Sequence, residues 1–169
     1  MKKLTVIIVN FNAGKYLEEC LASLYSNCHI TDFDAIVVDN NSNDESVVNI
    51  EKKYPLIKLI KNRKNFGFAK ANNMAIRESK SKYLLLLNSD TRIQPDSLDL
   101  MTIVMDNSPE TGVLGCQLQS RTGNLQESFN RPPGLVNEFL RKIVYNKYIE
   151  NRDSFWGKYL YNIHQESKE

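Results

Sequence analysis

Tyr83-Leu84-Leu85-Leu86-Leu87-Asn88-Ser89-Asp90-Thr91 is a continuous apolar run that stops at a carboxylate. Four consecutive leucines bounded by polar residues read as a strand buried on both faces, the kind found in the middle of a largely parallel sheet. Asp90 then stands beyond the strand's carboxyl end. In open α/β sheets ligands bind in the crevice at that end, so Asn88, Ser89 and Asp90 are the residues a polar ligand would meet.

Upstream of this run, strand and helix patterns alternate. Leu4 to Val9 is β-branched and apolar and reads as a central strand ending at Asn10-Phe11-Asn12-Ala13-Gly14, where Asn12 can cap a helix. That helix carries Leu17, Cys20, Leu21 and Leu24 at the spacing of one buried face. Phe33 to Val38 is a second buried strand ending in Asp39, followed by a turn-rich loop, Asn40 to Asp44, whose last members can cap a helix with Val47, Val48 and Ile50. Ile57 to Ile60 is a short third strand. A basic loop, Lys61 to Lys64, then leads through Asn65-Phe66-Gly67-Phe68 into an alanine-rich helix ending near Glu78. The leucine run is the fourth strand, and the whole predicts a right-handed, doubly wound sheet with helices on both faces.

Downstream, Leu98, Met101, Ile103, Val104 and Met105 mark a helix from Pro95 to Ser108-Pro109. Gly112 to Gln119 and Leu125 to Phe129 flank Arg121-Thr122-Gly123-Asn124 as a hairpin, and Arg131-Pro132-Pro133-Gly134 breaks the chain. We expect one sheet domain over residues 1–134 and a helical extension over residues 135–169. Val136, Phe139, Leu140, Ile143 and Val144 give the extension one apolar helix face.

With 169 residues, 41% hydrophobic and 25% charged, the chain has the composition of one globular domain. A net charge of +2 argues against a nucleic-acid partner. The opening Met1-Lys2-Lys3 and its apolar run imitate a signal peptide, but the run is short, meets Asn10 and Asn12, and lacks a small-residue cleavage site. No stretch approaches the ~18 to 20 apolar residues of a spanning helix, so any membrane contact is expected to be peripheral. Cys20, Cys28 and Cys116 have no paired metal-ligand spacing and fit idle thiols in a reducing, cytoplasmic setting. His29 and His164 have no partner at metal or triad spacing.

A dinucleotide site needs a Gly-x-Gly-x-x-Gly first turn, and here that turn offers only Gly14. No phosphate loop with Gly-Lys-Ser or Gly-Lys-Thr is present either. If a pyrophosphate binds, a divalent metal at Asp90 is the candidate that neutralises it, because hard cations need only one or two carboxylates when phosphate oxygens and water complete the shell. The competing reading, that Asp90 caps the turn into Thr91 to Pro95, weighs about the same from spacing alone.

Four motifs then occur in order: Val-Ile-Ile-Val-Asn-Phe-Asn at the start, Val37 to Asp44, Asn65 to Asn73, and Leu86 to Thr91. Together they resemble the large inverting family of GT-A glycosyltransferases called family 2. The likeness is strongest to its rhamnosyltransferase-like members, to which Gln117 to Gly134 is also similar, and it covers roughly Leu4 to Gly134. The resemblance implies a GT-A, Rossmann-like α/β fold that binds a UDP- or dTDP-sugar with Mg²⁺ or Mn²⁺. It also implies transfer to a saccharide or lipid-linked acceptor with inversion, in cell-surface polysaccharide biosynthesis. Val9, Asn10 and Phe11 would line the base, and Asp39 would accept the N3 hydrogen of uracil or thymine. Asn65 and Gly67 would face nucleotide or sugar, with Gly67 permitting close backbone approach. Asn88-Ser89-Asp90 stands in place of the family's Asp-x-Asp, leaving Asp90 alone to anchor metal.

The family's general base lies in an acidic pair beyond the hairpin, and no such pair is recognisable here. Glu150, Asp153 and Glu166 read as solvated surface charges. The expectation is thus a donor-binding half whose acceptor half is missing, which leaves a non-catalytic nucleotide-sugar-binding fragment as the alternative. A pyrophosphorylase-type nucleotidyltransferase shares the sheet but lacks support, since the glycine-rich, basic opening loop is absent. Arg141, Lys142 and Lys147 beside the last apolar face suit contact with anionic lipid at the membrane's inner face, or simply a helix covering a sheet. Phe155, Trp156, Tyr159 and Tyr161 form an apolar tail that, left uncovered, favours self-association into homo-oligomers.

Overall fold

Alternating short apolar runs and amphipathic segments build the expected layers. A computed structural model describes residues 1–126. In chain order these form β1 (Leu4–Asn10), α1 (Lys15–Asn27), β2 (Phe33–Asp39), α2 (Ser46–Lys53), β3 (Lys58–Lys61), α3 (Phe68–Glu78), β4 (Tyr83–Asn88), α4 (Ser97–Asn107), β5 (Leu118–Gln119) and β6 (Leu125–Gln126). Residues Met1–Leu114 make one compact unit, and a second begins at Gly115. The boundary expected at residue 134, the helix from Val136, the late carboxylates, His164 and the aromatic tail lie outside the described residues.

The first unit is a parallel four-stranded sheet in the order β3-β2-β1-β4. Because strand side chains alternate between faces, β1 feeds two cores. Leu4, Val6 and Ile8 pack with Leu17, Cys20, Leu21 and Leu24 of α1, Ile50 of α2 and Leu98 of α4. Ile7 packs on the other face with Ile36, Val38 and Ala71 and Ala75 of α3. The two small alanines let α3 lie close against the sheet. Fully burying a side chain such as Ile7 or Leu21 stabilises the fold by ~1.5–3 kcal/mol. In the second unit, β5 and β6 form an antiparallel ladder with Gly123 in its turn, where the hairpin was expected; the rest of its second strand lies outside the described residues.

The strand that decided the fold is present, but its burial corrects the expectation. Among the described residues β4 is an edge strand, and Leu84 and Leu86 are 44% and 49% exposed. Register explains this. Leu84 and Leu86 pair with Thr5 and Ile7, and so share the face on which α3 packs. Crossing back from β3 to β4, α3 lies over β1 and β2 and stops short of β4. An unbroken leucine run has no polar alternation to mark the uncovered face.

Asp99, on the first turn of α4, ties that helix to the α1–β2 connection. Its carboxylate is buried and accepts hydrogen bonds from the backbone amides of His29 (3.0 Å), Ile30 (3.2 Å) and Thr31 (2.7 Å). Burial alone would push this carboxyl up, but the hydrogen bonds outweigh it and hold the group well below the usual carboxylate range. A depressed folded pKa contributes stability that is present above the unfolded value, near ~3.9, and is lost as pH falls below it. Asp99→Asn is therefore expected to cost about 2–3 kcal/mol at pH 7, with the gap to the parent narrowing steadily as pH falls below about 4. Thermal melts across that range check this; a gap independent of pH would refute it.

Candidate functional site

The strand order reverses between β1 and β4, and the crevice expected at such a switch point is present at the carboxyl ends of the strands. It is an open cleft of about 500 Å³. Val9 and Phe11 form its middle wall, Asn65 and Gly67 one end, and Asn88, Ser89 and Asp90 the other. Seven of the nine residues singled out from sequence thus meet in one cavity. A second cavity of about 570 Å³ runs along the open edge of β4 beside Leu84, Leu86 and Met105. It is apolar, and among its lining residues no acid or histidine is found.

Asn10 and Asp39 are not in the cleft wall but behind it. They are register partners on β1 and β2, which places their side chains side by side on one face. Asn10 Nδ2 donates to Asp39 Oδ1 (2.9 Å), with Ser42 Oγ at 3.0 Å and Ser46 Oγ at 2.9 Å also within its reach. Asp39 further accepts from the Ser42 hydroxyl (2.5 Å) and the Ser42 amide (3.1 Å). Asn10 Oδ1 is buried with no partner, a cost of ~1–3 kcal/mol borne to keep an amide nitrogen against this cluster of oxygens. Asn12 does not cap α1; at φ +53° its Oδ1 accepts from the Asn43 amide and stitches the β1 and β2 loops together. Asp44 serves the same junction, accepting from the amides of Gly14 (2.8 Å) and Ser46 (3.2 Å).

In front of this floor stands Asn40, which sequence reading passed over in favour of Asp39. Asn40 lines the cleft, accepts from Asn62 Nδ2 at 2.9 Å, and its Nδ2 lies 3.4 Å from the Gly67 carbonyl. It holds the β3–α3 loop against the end of β2. The loop itself is shaped by Asn65, whose Oδ1 accepts from the Gly67 amide at 2.8 Å, and by Gly67 at φ +80°, where a side chain would be strained. Phe68, Ala13 and Tyr16 also line the cleft. Phe11 and Phe68 are each about half exposed, two flat apolar surfaces with room for a ring.

Asp90 sits on a turn closed by the Thr91 amide donating to the Asn88 carbonyl at 3.1 Å. The strap after the turn is fastened to α1. Ile93 N donates to Ser23 Oγ (2.9 Å), Asn27 Nδ2 donates to Ile93 O (2.9 Å), and Arg92 pairs with Glu19 (2.7 Å). Cys20 Sγ lies 3.6 Å from Asn88 O, and burial together with the nearby Asp90 charge pushes its thiol up to about 12, so it is inert at neutral pH. The Asp90 carboxylate is exposed, and among the described residues no hydrogen bond or ion pair engages it, so the turn is closed by backbone without it. Nor do the described residues contain a cluster of three or more His, Cys, Asp or Glu. One free carboxylate on a rigid turn fits a hard cation that arrives already bound to phosphate, and does not fit a metal held by protein alone.

The family model described as Glycosyl transferase family 2 matches residues 5–161. Among curated proteins, the chain is 34% identical over 103 residues to the poly(ribitol-phosphate) beta-N-acetylglucosaminyltransferase TarP of Staphylococcus aureus (strain N315), covering 59% of this chain and 32% of TarP. It is 25% identical over 152 residues to the N-acetylglucosaminyl-diphospho-decaprenol L-rhamnosyltransferase of Mycobacterium tuberculosis (strain ATCC 25618 / H37Rv), covering 83% of this chain and 49% of that one. Among solved structures, S. aureus TarS 1-349 in complex with UDP-GlcNAc aligns with a TM-score of 0.58 at 29% identity, over 63% of this chain and 32% of TarS. The chain thus spans between a third and a half of the length of these relatives.

Proposed function

The chain belongs to glycosyl transferase family 2, and from that premise we propose that its cleft binds the donor of an inverting sugar transfer, a UDP- or dTDP-linked sugar. The observation that carries the reading is the single cavity joining aromatic and amide surfaces at one end to a free carboxylate at the other. A nucleoside diphosphate sugar has that polarity: a flat ring, then hydroxyls, then two phosphates. The TarS complex with UDP-GlcNAc supports a uridine donor. The name of the mycobacterial enzyme supports a lipid-linked saccharide acceptor, and that of TarP a phosphate-bearing polymer. No helix among the described residues is long and apolar enough to cross a membrane.

In this reading Phe11 supplies a wall for the base, Asn65 and Asn88 bond hydroxyls, and Asp90 would hold Mg²⁺ or Mn²⁺. The metal, when bound, supplies positive charge to the leaving diphosphate. Holding the base and both phosphates fixes the anomeric carbon for attack, and such positioning is a large part of the rate. No described residue is assigned as the acceptor's general base. A binding module that does not transfer sugar is the second reading, favoured because Asp90 is the one acid in the cleft wall among the described residues.

Base recognition tests the geometry. A carboxylate at Asp39 reading N3–H would favour uridine and thymidine over cytidine by about tenfold to a hundredfold. We assign the contact instead to Asn40, because Asn40 is among the residues lining the cleft and Asp39 is not. An amide offers both donor and acceptor, so CDP should compete within roughly tenfold of UDP. Asn40→Ala should weaken both. Competition calorimetry decides: a hundredfold preference for UDP that survives Asn40→Ala returns the role to Asp39, and failure of every nucleoside diphosphate to bind defeats the proposal.

A further inference from the structure

Between Glu51 and Glu78 the chain has no acidic residue, and apart from Lys52 and Arg77 its cations fall into two groups. Lys53, Lys58 and Lys61 pair with Glu18, Glu78 and Glu51. Arg63, Lys64 and Lys70 have no carboxylate partner among the described residues, although ion pairs engage lysines all around them. Lys64 and Lys70 instead converge on one half-buried ring, with their Nζ atoms 5.3 Å and 4.4 Å from the centroid of Phe66. Two like charges share one aromatic ring, which holds them in place without neutralising them.

The loop that carries them is built, not loose. The Asn62 amide donates to the Asp39 carbonyl (2.9 Å), Asn62 Nδ2 to Asn40 Oδ1, and the Gly67 amide to Asn65 Oδ1. Asn65, Gly67 and Phe68 of the same stretch line the cleft, so the cations stand at its rim. They stand at the far end from Asp90. The loop follows β3 and Asp90 follows β4, the two edges of the described sheet.

We infer that Arg63, Lys64 and Lys70 form a docking surface for an extended acceptor bearing repeated phosphate groups, which runs along the cleft rim from the transfer end to this loop. The acceptor assignment rests on the donor reading above; the anion site does not. Charge complementarity favours this occupant: three cations without a carboxylate partner among the described residues stand together at the rim, on a stretch of chain that holds no acid of its own. A membrane fits less well, because the Phe66 ring is already covered by two ammonium groups and cannot insert.

The test measures binding of inorganic polyphosphate, uncharged dextran and phosphatidylglycerol vesicles to the full chain, alongside UDP. Replacing the three cations (R63Q, K64Q and K70Q together) should weaken polyphosphate binding by roughly tenfold to a hundredfold and lower its log–log salt slope by about 2, with UDP binding unchanged. A control that removes Lys52, Arg77 and Lys80 as glutamines should do much less. Equal loss in both variants, or no loss in the first, overturns the inference. Loss of vesicle binding without loss of polyphosphate binding assigns the loop to a membrane and also overturns it. If UDP does not bind the parent chain while the polyphosphate result holds, the donor reading fails and the anion site stands.

Discussion

Asp90→Asn is expected to abolish metal-promoted binding of UDP, a loss on the order of a hundredfold measured with Mn²⁺ present, and to leave the melting temperature almost unchanged. The two halves follow from one geometry. Asp90 is exposed on a turn that backbone hydrogen bonds and the strap on α1 already hold, so removing its charge breaks no contact among the described residues. Surface changes of this kind usually stay within about 0.5 kcal/mol. The same isolation means that the carboxylate has no partner to displace when a cation arrives. Since Asp90 is the one acid in the cleft wall among the described residues and no histidine joins it there, Mn²⁺ without nucleotide should give no measurable heat. Calorimetry with UDP, with and without a chelator, decides the matter. Equal affinity in both conditions would show that Asp90 anchors no metal.

Much of the fold was legible because it depends on local patterns. α3 begins at Phe68 and ends at Glu78 as the alanine-rich stretch implied, and α4 fills the interval before Ser108-Pro109. What the pattern could not carry was coverage. An unbroken run such as Leu84 to Leu87 is apolar toward both faces whether or not anything lies on them, so the open face of β4 had no signature. The site followed the same rule. Asn88 to Asp90 could be placed because a strand end is visible in sequence, and they do meet Phe11 and Gly67 in one cleft. Asp39 and Asn40 are neighbours in sequence, and only the sheet's pairing decides which of them faces the cavity. The register of Asn10 against Asp39 commits the carboxylate to the floor and leaves Asn40 for the wall.

That register supplies the other large expected effect, Asn10→Asp. Asn10 is fully buried and Asp39 is 6% exposed, and they meet at 2.9 Å through an N–H donor that the substitution removes. Two carboxylates at that distance cannot both ionise, so one must take up a proton and its folded pKa must rise. At pH 7 the fold then bears an uncompensated buried charge or the cost of protonation, about 3–5 kcal/mol, which corresponds to a melting temperature lower by roughly 10 °C or more. The sign with pH is opposite to that at Asp99. A carboxyl with a raised folded pKa contributes stability below its unfolded value, near ~3.9, and loses it as pH rises through the folded value. The variant should therefore recover toward the parent as pH is lowered from 7 toward about 4. Asn10→Ala, which removes the donor but adds no charge, should be milder and show no such recovery. If both substitutions lower the melting temperature equally at every pH, Asp39 is not ionised beneath the cleft, and the floor is held by the serine hydroxyls alone.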